Sequence, residues 1–427
     1  MLQARGFHRS RHGRPVPSDN SRMSFIAPFR ALRPAANVAA RVASVPYDVV
    51  NADEARALAA GNPLSFLHVS RAEIDYPRDV DPYSETVYAK AVENFERLTR
   101  EAPLVVEDTA SLYVYRLRMG EVTQTGIAAC FSLDEYDRDV IKKHERTRPD
   151  KEDDRTRHLV ALRAQTGPVF LIHEEAAAID RIVAQVANAR PLYDFTAPDG
   201  VSHTLWRVDA SLAPALIEAF GGVPSLYIAD GHHRAASAAR ARQQLRGHAS
   251  TPGEWDTFLA VAFPAPQVRI LPYNRVVTDL GTRTPDAFVA AVRQRFTVQD
   301  GPAVPVRSGD VSMFLNGKWH TISLGEAGAG VAATDRLDVS QLQELILNPL
   351  LGIGDPRSSK RIDFVGGLRG TGALEQAVQS GRAAVAFSMY PASVDDLMTI
   401  ADAGGIMPPK STWFEPKLRD GLLSHLI

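Results

Sequence analysis

The sequence contains very little cysteine, no long apolar run and almost no net charge. Cys130 is the single cysteine among 427 residues, so neither an internal disulfide nor a cysteine-based zinc site can form. This composition favours a reducing cytoplasm. No apolar run is long enough to span a bilayer, and a net charge of −2 gives no general attraction to nucleic acid or anionic lipid. We therefore expect a cytoplasmic protein with neither a membrane nor a nucleic-acid partner.

The first 22 residues lack both hydrophobic periodicity and the apolar core of a signal peptide. They are rich in arginine, which predicts a disordered basic tail over residues 1–22. A basic arm that touches nucleic acid is the alternative, and the composition favours the plain tail. The first core-like sequence begins at Met23.

Strand-like and helix-like patterns alternate along the rest of the chain. With 45 % apolar and 23 % charged residues, the composition is that of a globular protein. The length favours two or three domains. Because hairpins occur beside the alternating strands and helices, we predict a mixed α/β (α+β) multi-domain fold with mixed sheets. We place an N-terminal α/β domain at 23–131, a middle region at 132–263, and a C-terminal α/β region ending in a strap at 264–427.

The stretch LYIADGHHRAASA, residues 226–238, is the most suggestive of function. Its pattern predicts a strand, a sharp turn at Asp230 and Gly231, and a helix that starts with His232, His233 and Arg234. A helix start presents backbone N–H groups without intrahelical acceptors and the positive end of the helix dipole. This arrangement suits a phosphate group, and the arginine and a histidine would strengthen its binding.

An ordinary turn is the alternative interpretation of the same stretch. Asp-Gly pairs are common in turns, and Asp230 could simply cap the helix. Two histidines and an arginine at one helix start favour a functional site, because these residues are poor turn formers. His232 and His233 diverge by about 100° around the helix, so we do not expect them to share a metal ion. No metal ligand is predicted.

A second charged stretch, IKKHERTRPDKEDDRTRH, precedes the first. From Pro149 onward, acidic residues come first and basic residues later, as in a solvated helix. Before that helix, Lys143, His144 and Glu145 follow a short apolar run. A glutamate beside basic groups at a strand end could act as a general base toward a hydroxyl. A solvated surface is the simpler interpretation of a run of charges.

Two later segments offer basic groups for an anion. GIGDPRSSKRIDFVGG contains Arg361 among glycines but lacks the Gly-Lys-Ser/Thr ending of a P-loop, so a surface loop explains it equally well. MPPKSTWFEPKL holds Lys410 between rigid prolines and aromatic residues. It is either a strap that packs on the core or a strap that lends Lys410 to an active site.

Many separate stretches resemble one known family. They include VPYDVV, NPLSFLHVSRAE, QTGIAA, IKKHERT, KEDDRTRH, QTGPVF, YIADGHHRAASA, ILPYNRVV, IDFVGG and MPPKSTWFEPKL. These stretches are numerous, well spread and in order. The chain from about Met23 to Leu426 is therefore identified as a member of the bacterial and archaeal domain-of-unknown-function family ten-fifteen. That resemblance implies no activity.

The middle region alone resembles a second group, the ParB/sulfiredoxin-like fold. It is most similar to the free serine kinases, which carry an Asp-Gly-His-His-Arg loop and an upstream His-Glu pair. This resemblance implies a nucleotide-binding region at 132–263, with Glu145 as the catalytic base beside His144. Phosphates would be held by residues 231–234, and Asp230 would assist at the phosphates or at magnesium. The loop lacks the cysteine of sulfiredoxins and no helix-turn-helix follows it, which disfavours sulfinic-acid reduction and DNA partition.

The sequence as a whole thus predicts a nucleotide-dependent phosphotransferase acting on a small hydroxylated metabolite. Free L-serine, giving O-phosphoserine, is the first substrate to consider, with ATP or ADP (or CTP) and Mg²⁺ as cofactors. Lys410, Arg361 and Lys143 are the candidates for substrate binding. The alternative is a ParB-like regulatory module that binds CTP or ATP without turnover. The expected partners are a nucleotide and a small-molecule substrate. A homodimer is a possible assembly that the sequence does not decide.

Overall fold

A computed structural model describes residues 25–101, 104–247, 251–325, 328 and 330–427. The predicted tail at 1–22 lies outside the described residues. The strands are β1 (Ile26–Ala27), β2 (Ala31–Pro34), β3 (Leu104–Val106), β4 (Tyr113–Met119), β5 (Val122–Ser132), β6 (Ile141–Lys142), β7 (Ala164–Gln165), β8 (Val169–His173), β9 (Tyr193–Thr196), β10 (Ser202–Arg207), β11 (Leu226–Asp230), β12 (Thr257–Pro264), β13 (Arg269–Leu271), β14 (Tyr273–Val277), β15 (Thr297–Asp300), β16 (Asp310–Leu315), β17 (Lys318–Ser323), β18 (Ile362–Gly366), β19 (Val385–Ser388), β20 (Trp413–Glu415) and β21 (Ser424–Leu426).

The helices lie between these strands and on their faces. They are α1 (Ala39–Val42), α2 (Ala52–Ala59), α3 (Leu67–Ser70), α4 (Glu85–Glu101), α5 (Leu133–Asp137), α6 (Pro149–Leu162), α7 (Ala177–Val186), α8 (Ala213–Gly221), α9 (His232–Arg246), α10 (Pro285–Arg293), α11 (Ala333–Arg336), α12 (Asp338–Leu342), α13 (Asn348–Leu351), α14 (Gly370–Gln379) and α15 (Val394–Asp402). The described part of the chain has no helix with the length and apolar character that a membrane crossing requires.

The largest sheet among the described residues has the strand order β6-β11-β8-β12-β5-β4-β10-β9, with β1 paired to β5. It is a mixed sheet, since β6 runs parallel to β11 and β12 parallel to β8, whereas β8 and β11 are antiparallel. Strand β12 lies in the middle of this sheet and is buried on both faces. Leu259, Val261 and Phe263 pack on one face of the sheet, while Phe258 and Ala260 pack on the other. A continuous apolar run is what a strand buried on both faces requires.

The C-terminal part builds a second sheet, with the order β15-β17-β16-β19-β14-β18 and antiparallel pairing throughout. Its β16–β17 hairpin turns at Asn316 and Gly317, which have φ angles of 49° and 76°. Positive φ at both positions is the requirement of a tight two-residue hairpin turn, and Asn-Gly meets it best. The predicted mixed α/β fold is confirmed.

Two small sheets hold the end of the chain, and one of them pairs it with the beginning. Strand β21 pairs with β2 and β7, and β20 pairs with β13. The C-terminal segment 407–426 therefore lies beside the large sheet. The large sheet also takes strands from both sides of residue 131, where we predicted a boundary. The domain boundaries themselves stay a prediction.

Candidate functional site

The stretch 226–238 forms the strand, turn and helix that its pattern predicts. Strand β11 ends at Asp230, and helix α9 begins at His232. Between them, Gly231 has a φ of 93°, a backbone conformation that is costly for any residue with a β-carbon. A β-carbon at Gly231 would also lie 3.2 Å from the guanidinium carbon of Arg234 and 3.4 Å from the Val169 Cα. The sharp turn therefore depends on glycine.

The start of α9 is not capped by a side chain, and its first turn contains no acidic residue. Asp230 does not cap the helix, because its Oδ1 accepts the N–H of Gly231 at 3.0 Å instead. The interpretation of Asp230 as an N-cap is therefore wrong. The first N–H groups of a helix have no intrahelical acceptor, so this end of α9 retains its capacity to bind an anion.

Asp230 instead belongs to a partly buried ion network. Its Oδ2 lies 3.0 Å from the Lys417 Nζ and 3.7 Å from the Arg234 Nη2. Burial alone would raise the pKa of Asp230, but the charges of Lys417 and Arg234 outweigh burial and hold that pKa well below its ordinary value. The carboxylate is therefore ionised, and its charge is already compensated by two cations of the protein.

Glu145 and His144 reach this site because β6 and β11 are parallel neighbours. Ile141 pairs with Leu226, so the segments that follow the two strands leave the sheet at the same edge. The His144 and His232 rings meet edge to face, with centroids 4.5 Å apart. Glu145 Oε2 lies 4.0 Å from His232 Nδ1. The structure thus brings together two sequence-predicted groups that are 85 or more residues apart in the chain.

The pKa of Glu145 is raised above the ordinary value of a glutamate. Burial is the main cause, Lys410 lowers the pKa, and Asp230 and Asp48 raise it. The side chain is nevertheless 41 % exposed, so it faces solvent as well as the start of α9. An ionised carboxylate with a raised pKa is a better proton acceptor than an ordinary one.

His233 and Arg234 make contacts with the protein. His233 Nε2 accepts the backbone N–H of Arg148 at 3.0 Å, just before α6 begins. The Arg234 guanidinium donates to the Pro168 carbonyl and lies 3.5 Å from Asp48 Oδ2. It also lines a small, partly open pocket with Asp420. The Arg234 guanidinium is thus held by groups of the protein. Direct phosphate binding by His233 and Arg234 stays a prediction.

The three predicted substrate-binding cations have different surroundings. Lys410 is close enough to Glu145 for its charge to lower the pKa of that carboxyl. Lys143 donates to the Tyr136 carbonyl at 2.8 Å, and its charge lowers the pKa of His232. Arg361 is held in the C-terminal part.

The partners of Arg361 are Asp279, at 2.6 Å, and the Leu351 carbonyl, at 2.7 Å. Both partners belong to the C-terminal part of the chain, so the guanidinium is held there. Among the described residues, Arg361 makes no hydrogen bond or ion pair with Glu145 or Asp230. Of the three predicted cations, Lys410 and Lys143 therefore act on groups of the site, whereas Arg361 pairs with Asp279.

The sequence interpretation missed Asp48 and Lys417. Asp48 lies against Arg234 and raises the pKa of Glu145, and Lys417 pairs with Asp230. Both residues fall in stretches that carry the family resemblance, VPYDVV and MPPKSTWFEPKL. Their position in these stretches was the only sequence feature that could have pointed to them, because no local spacing links either residue to the loop.

Gly231→Ala is expected to lower the free energy of unfolding by about 1–2 kcal/mol, because a β-carbon is strained at positive φ. Chemical denaturation measures this loss. Gly372→Ala is the control: it lies in α14, and nothing stands within 4 Å of the added β-carbon. We expect no loss of stability there, since alanine is the better helix former. Equal effects of the two substitutions would contradict our account of the turn.

The fold and this site define a mixed α/β protein whose polar centre lies at the ends of two parallel strands. The sequence profile described as "Protein of unknown function (DUF1015)" matches residues 26–340. The chain therefore belongs to this family, and the family predicted from the sequence is confirmed. The sequence has no match among curated proteins.

Several solved structures are distantly similar. A conserved hypothetical protein from Pyrococcus furiosus is 13 % identical with a TM-score of 0.36, and the match covers 70 % of this chain and 95 % of that one. A mutant free serine kinase in complex with AMP is 12 % identical with a TM-score of 0.36, covering 69 % and 92 %. C-terminally truncated SbnI from Staphylococcus aureus is 11 % identical with a TM-score of 0.37, covering 70 % and 87 %. These TM-scores lie below 0.5, so the interpretation of the site rests on its own geometry.

Proposed function

We propose that this protein is a nucleotide-dependent phosphotransferase that acts on the hydroxyl group of a small metabolite. The observation that carries the proposal is the juxtaposition of Glu145 with an uncapped helix start, at 4.0 Å from His232. Glu145 offers a proton acceptor, and the N–H groups at the start of α9 offer hydrogen-bond donors for an anion. A transfer of a phosphoryl group to an alcohol needs both.

The charges around the site suit a phosphorylated ligand. Asp230 is neutralised by Lys417 and Arg234, so it does not repel an incoming phosphate as a free carboxylate would. The helix dipole of α9 adds positive potential at its start. Lys410 stands near Glu145 and supplies a further cation. With Asp230 compensated, the dipole of α9 and the charge of Lys410 favour an anion at this position.

The protein's own groups would divide the reaction between them. Glu145 would accept the proton of the substrate hydroxyl as the oxygen attacks phosphorus. The N–H groups at the start of α9 would hold the phosphate oxygens and stabilise the charge that develops on them. A bound nucleotide would supply the phosphoryl group and leave with one phosphate fewer, and Mg²⁺ would offset the charge of the phosphates.

Free L-serine is the substrate that we propose first, since the Asp-Gly-His-His-Arg loop and the His-Glu pair resemble those of free serine kinases. Lys410 would bind the carboxylate of the amino acid, because its charge acts on the base and lowers the pKa of the Glu145 carboxyl. A carboxylate held there would orient the serine hydroxyl toward Glu145.

The proposal is tested by incubating purified protein with ATP or ADP, Mg²⁺ and L-serine and following the products by ³¹P NMR. We expect O-phosphoserine to form, and L-alanine, which lacks the hydroxyl, to give no phosphoester. L-threonine and L-homoserine extend the test to other hydroxylated amino acids. No turnover across these substrates and nucleotides would refute the proposal. Nucleotide binding without product would instead favour a ParB-like regulatory module.

A further inference from the structure

Three side chains of the site come together in a way that phosphate binding does not explain. His144, Glu145 and His232 each place one nitrogen or carboxylate oxygen within 4.8 Å of the others. Two come from the segment after β6 and one from the start of α9, so the parallel pairing of β6 and β11 creates the cluster. Imidazole nitrogens with one carboxylate oxygen are typical ligands of zinc and other divalent transition metals.

His144 supplies an independent observation. Its side chain is buried, with 2 % exposed, and neither of its ring nitrogens makes a hydrogen bond of normal geometry among the described residues, although the Ile228 carbonyl interacts with the ring. A buried polar group without a partner costs free energy, so such groups need an explanation. The ring lies edge to face against His232, at the cluster. A bound cation would satisfy a nitrogen that the protein leaves without a partner.

His232 is similarly available. It is 5 % exposed, and its Nε2 accepts the backbone N–H of His144 at 3.4 Å, which is long for a hydrogen bond. A metal ion on this ring would therefore compete with only a weak contact. On the other side, Nδ1 faces the Glu145 carboxylate at 4.0 Å.

We propose that His144, Glu145 and His232 form a binding site for one divalent transition-metal ion. Three protein ligands leave at least one coordination position open, as in catalytic rather than structural zinc sites. Two nitrogen ligands disfavour Mg²⁺, which prefers oxygen. The ion is therefore different from the magnesium that accompanies a nucleotide. Because a metal-bound Glu145 cannot also accept the hydroxyl proton, the metal-bound form and the form that transfers a phosphoryl group are alternative states of one site, and the metal inference does not depend on the phosphotransferase.

The test uses the full chain, treated with a chelator and measured without nucleotide. Isothermal titration with Zn²⁺ is expected to show about one equivalent bound, and a tenfold excess of Mg²⁺ is expected not to displace it. Co²⁺ is expected to give a visible absorption spectrum typical of nitrogen and oxygen ligands. His144→Ala and Glu145→Gln should each weaken Zn²⁺ binding by more than about tenfold, since each removes one ligand.

His233→Ala is the matched control, because His233 is the adjacent histidine on α9 but contacts the Arg148 N–H instead of the cluster. It is expected to retain the Zn²⁺ affinity of the wild type. If His144→Ala fails to fold after losing a buried ring, the half-exposed Glu145 still provides the test through Glu145→Gln. Absence of Zn²⁺ binding, or affinity unchanged in the ligand variants, would overturn the inference. Neither outcome bears on O-phosphoserine formation, which is measured with Mg²⁺ alone.

Discussion

Glu145→Gln is expected to lower the turnover number of phosphoryl transfer by about 10²–10⁴, the usual contribution of a general base. Glutamine keeps the size and polarity of the side chain but cannot accept the hydroxyl proton. Nucleotide affinity is expected to stay the same or increase, because the substitution removes a negative charge near the phosphates. Steady-state kinetics of O-phosphoserine formation and titration with nucleotide measure the two effects separately.

Glu218→Gln is the matched control for this substitution. Glu218 is an exposed residue of α8, so the same loss of charge there is expected to leave turnover unchanged. Full turnover in the Glu145→Gln variant would remove Glu145 from the mechanism. Loss of turnover accompanied by loss of nucleotide binding would assign Glu145 to binding instead of proton transfer.

Lys417→Met is expected to have the largest effect on stability. The Lys417 side chain is 12 % exposed, and its ammonium nitrogen lies 3.0 Å from Asp230 Oδ2. Its removal leaves the carboxylate with only the more distant Arg234, and breaking a buried ion pair on one side costs about 3–5 kcal/mol. Because Arg234 remains, we expect a loss near the lower end, about 3 kcal/mol, in urea denaturation at neutral pH.

Two further variants separate the ion pair from a general effect of losing a lysine. Lys142→Met removes a lysine 3.8 Å from the half-exposed Asp402, and such surface pairs contribute at most about 1 kcal/mol. The double variant Lys417→Met/Asp230→Asn should lose less than the sum of its single substitutions, because it leaves no uncompensated charge. A loss for Lys417→Met no greater than for Lys142→Met would contradict the assigned role of Lys417.

Local pattern was sufficient to predict the loop of the site. The apolar run, Asp-Gly pair and alanine-rich basic segment predicted strand, turn and helix, and β11, Gly231 and α9 have that form. These features depend on neighbouring residues in the sequence, whose conformations follow from turn chemistry and helix periodicity. The mixed character of the sheets was also predictable, since hairpins occurred beside alternating strands and helices.

Long-range pairing was not predictable from the residues. The neighbourhood of Glu145 and α9 depends on two-residue strand β6 lying parallel to β11, and so short a strand has no distinctive pattern. Lys417 lies between β20 and β21, and it reaches Asp230 because these strands pair with β13 and with β2 and β7. Arg361 was predicted to bind substrate because it lies among glycines in a segment that offers basic groups, but its partner Asp279 lies 82 residues earlier. Charge pairing across such distances requires the tertiary structure.

The central claim is that Glu145 and the start of α9 form one site for phosphoryl transfer. The most direct measurement is a crystal structure of the full chain with ADP and Mg²⁺. We expect phosphate oxygens within hydrogen-bond distance of the backbone N–H groups of His232 and His233. The Glu145 carboxylate should face the terminal phosphate. Nucleotide phosphates bound away from Gly231, or a Glu145 side chain turned away from them, would contradict the claim.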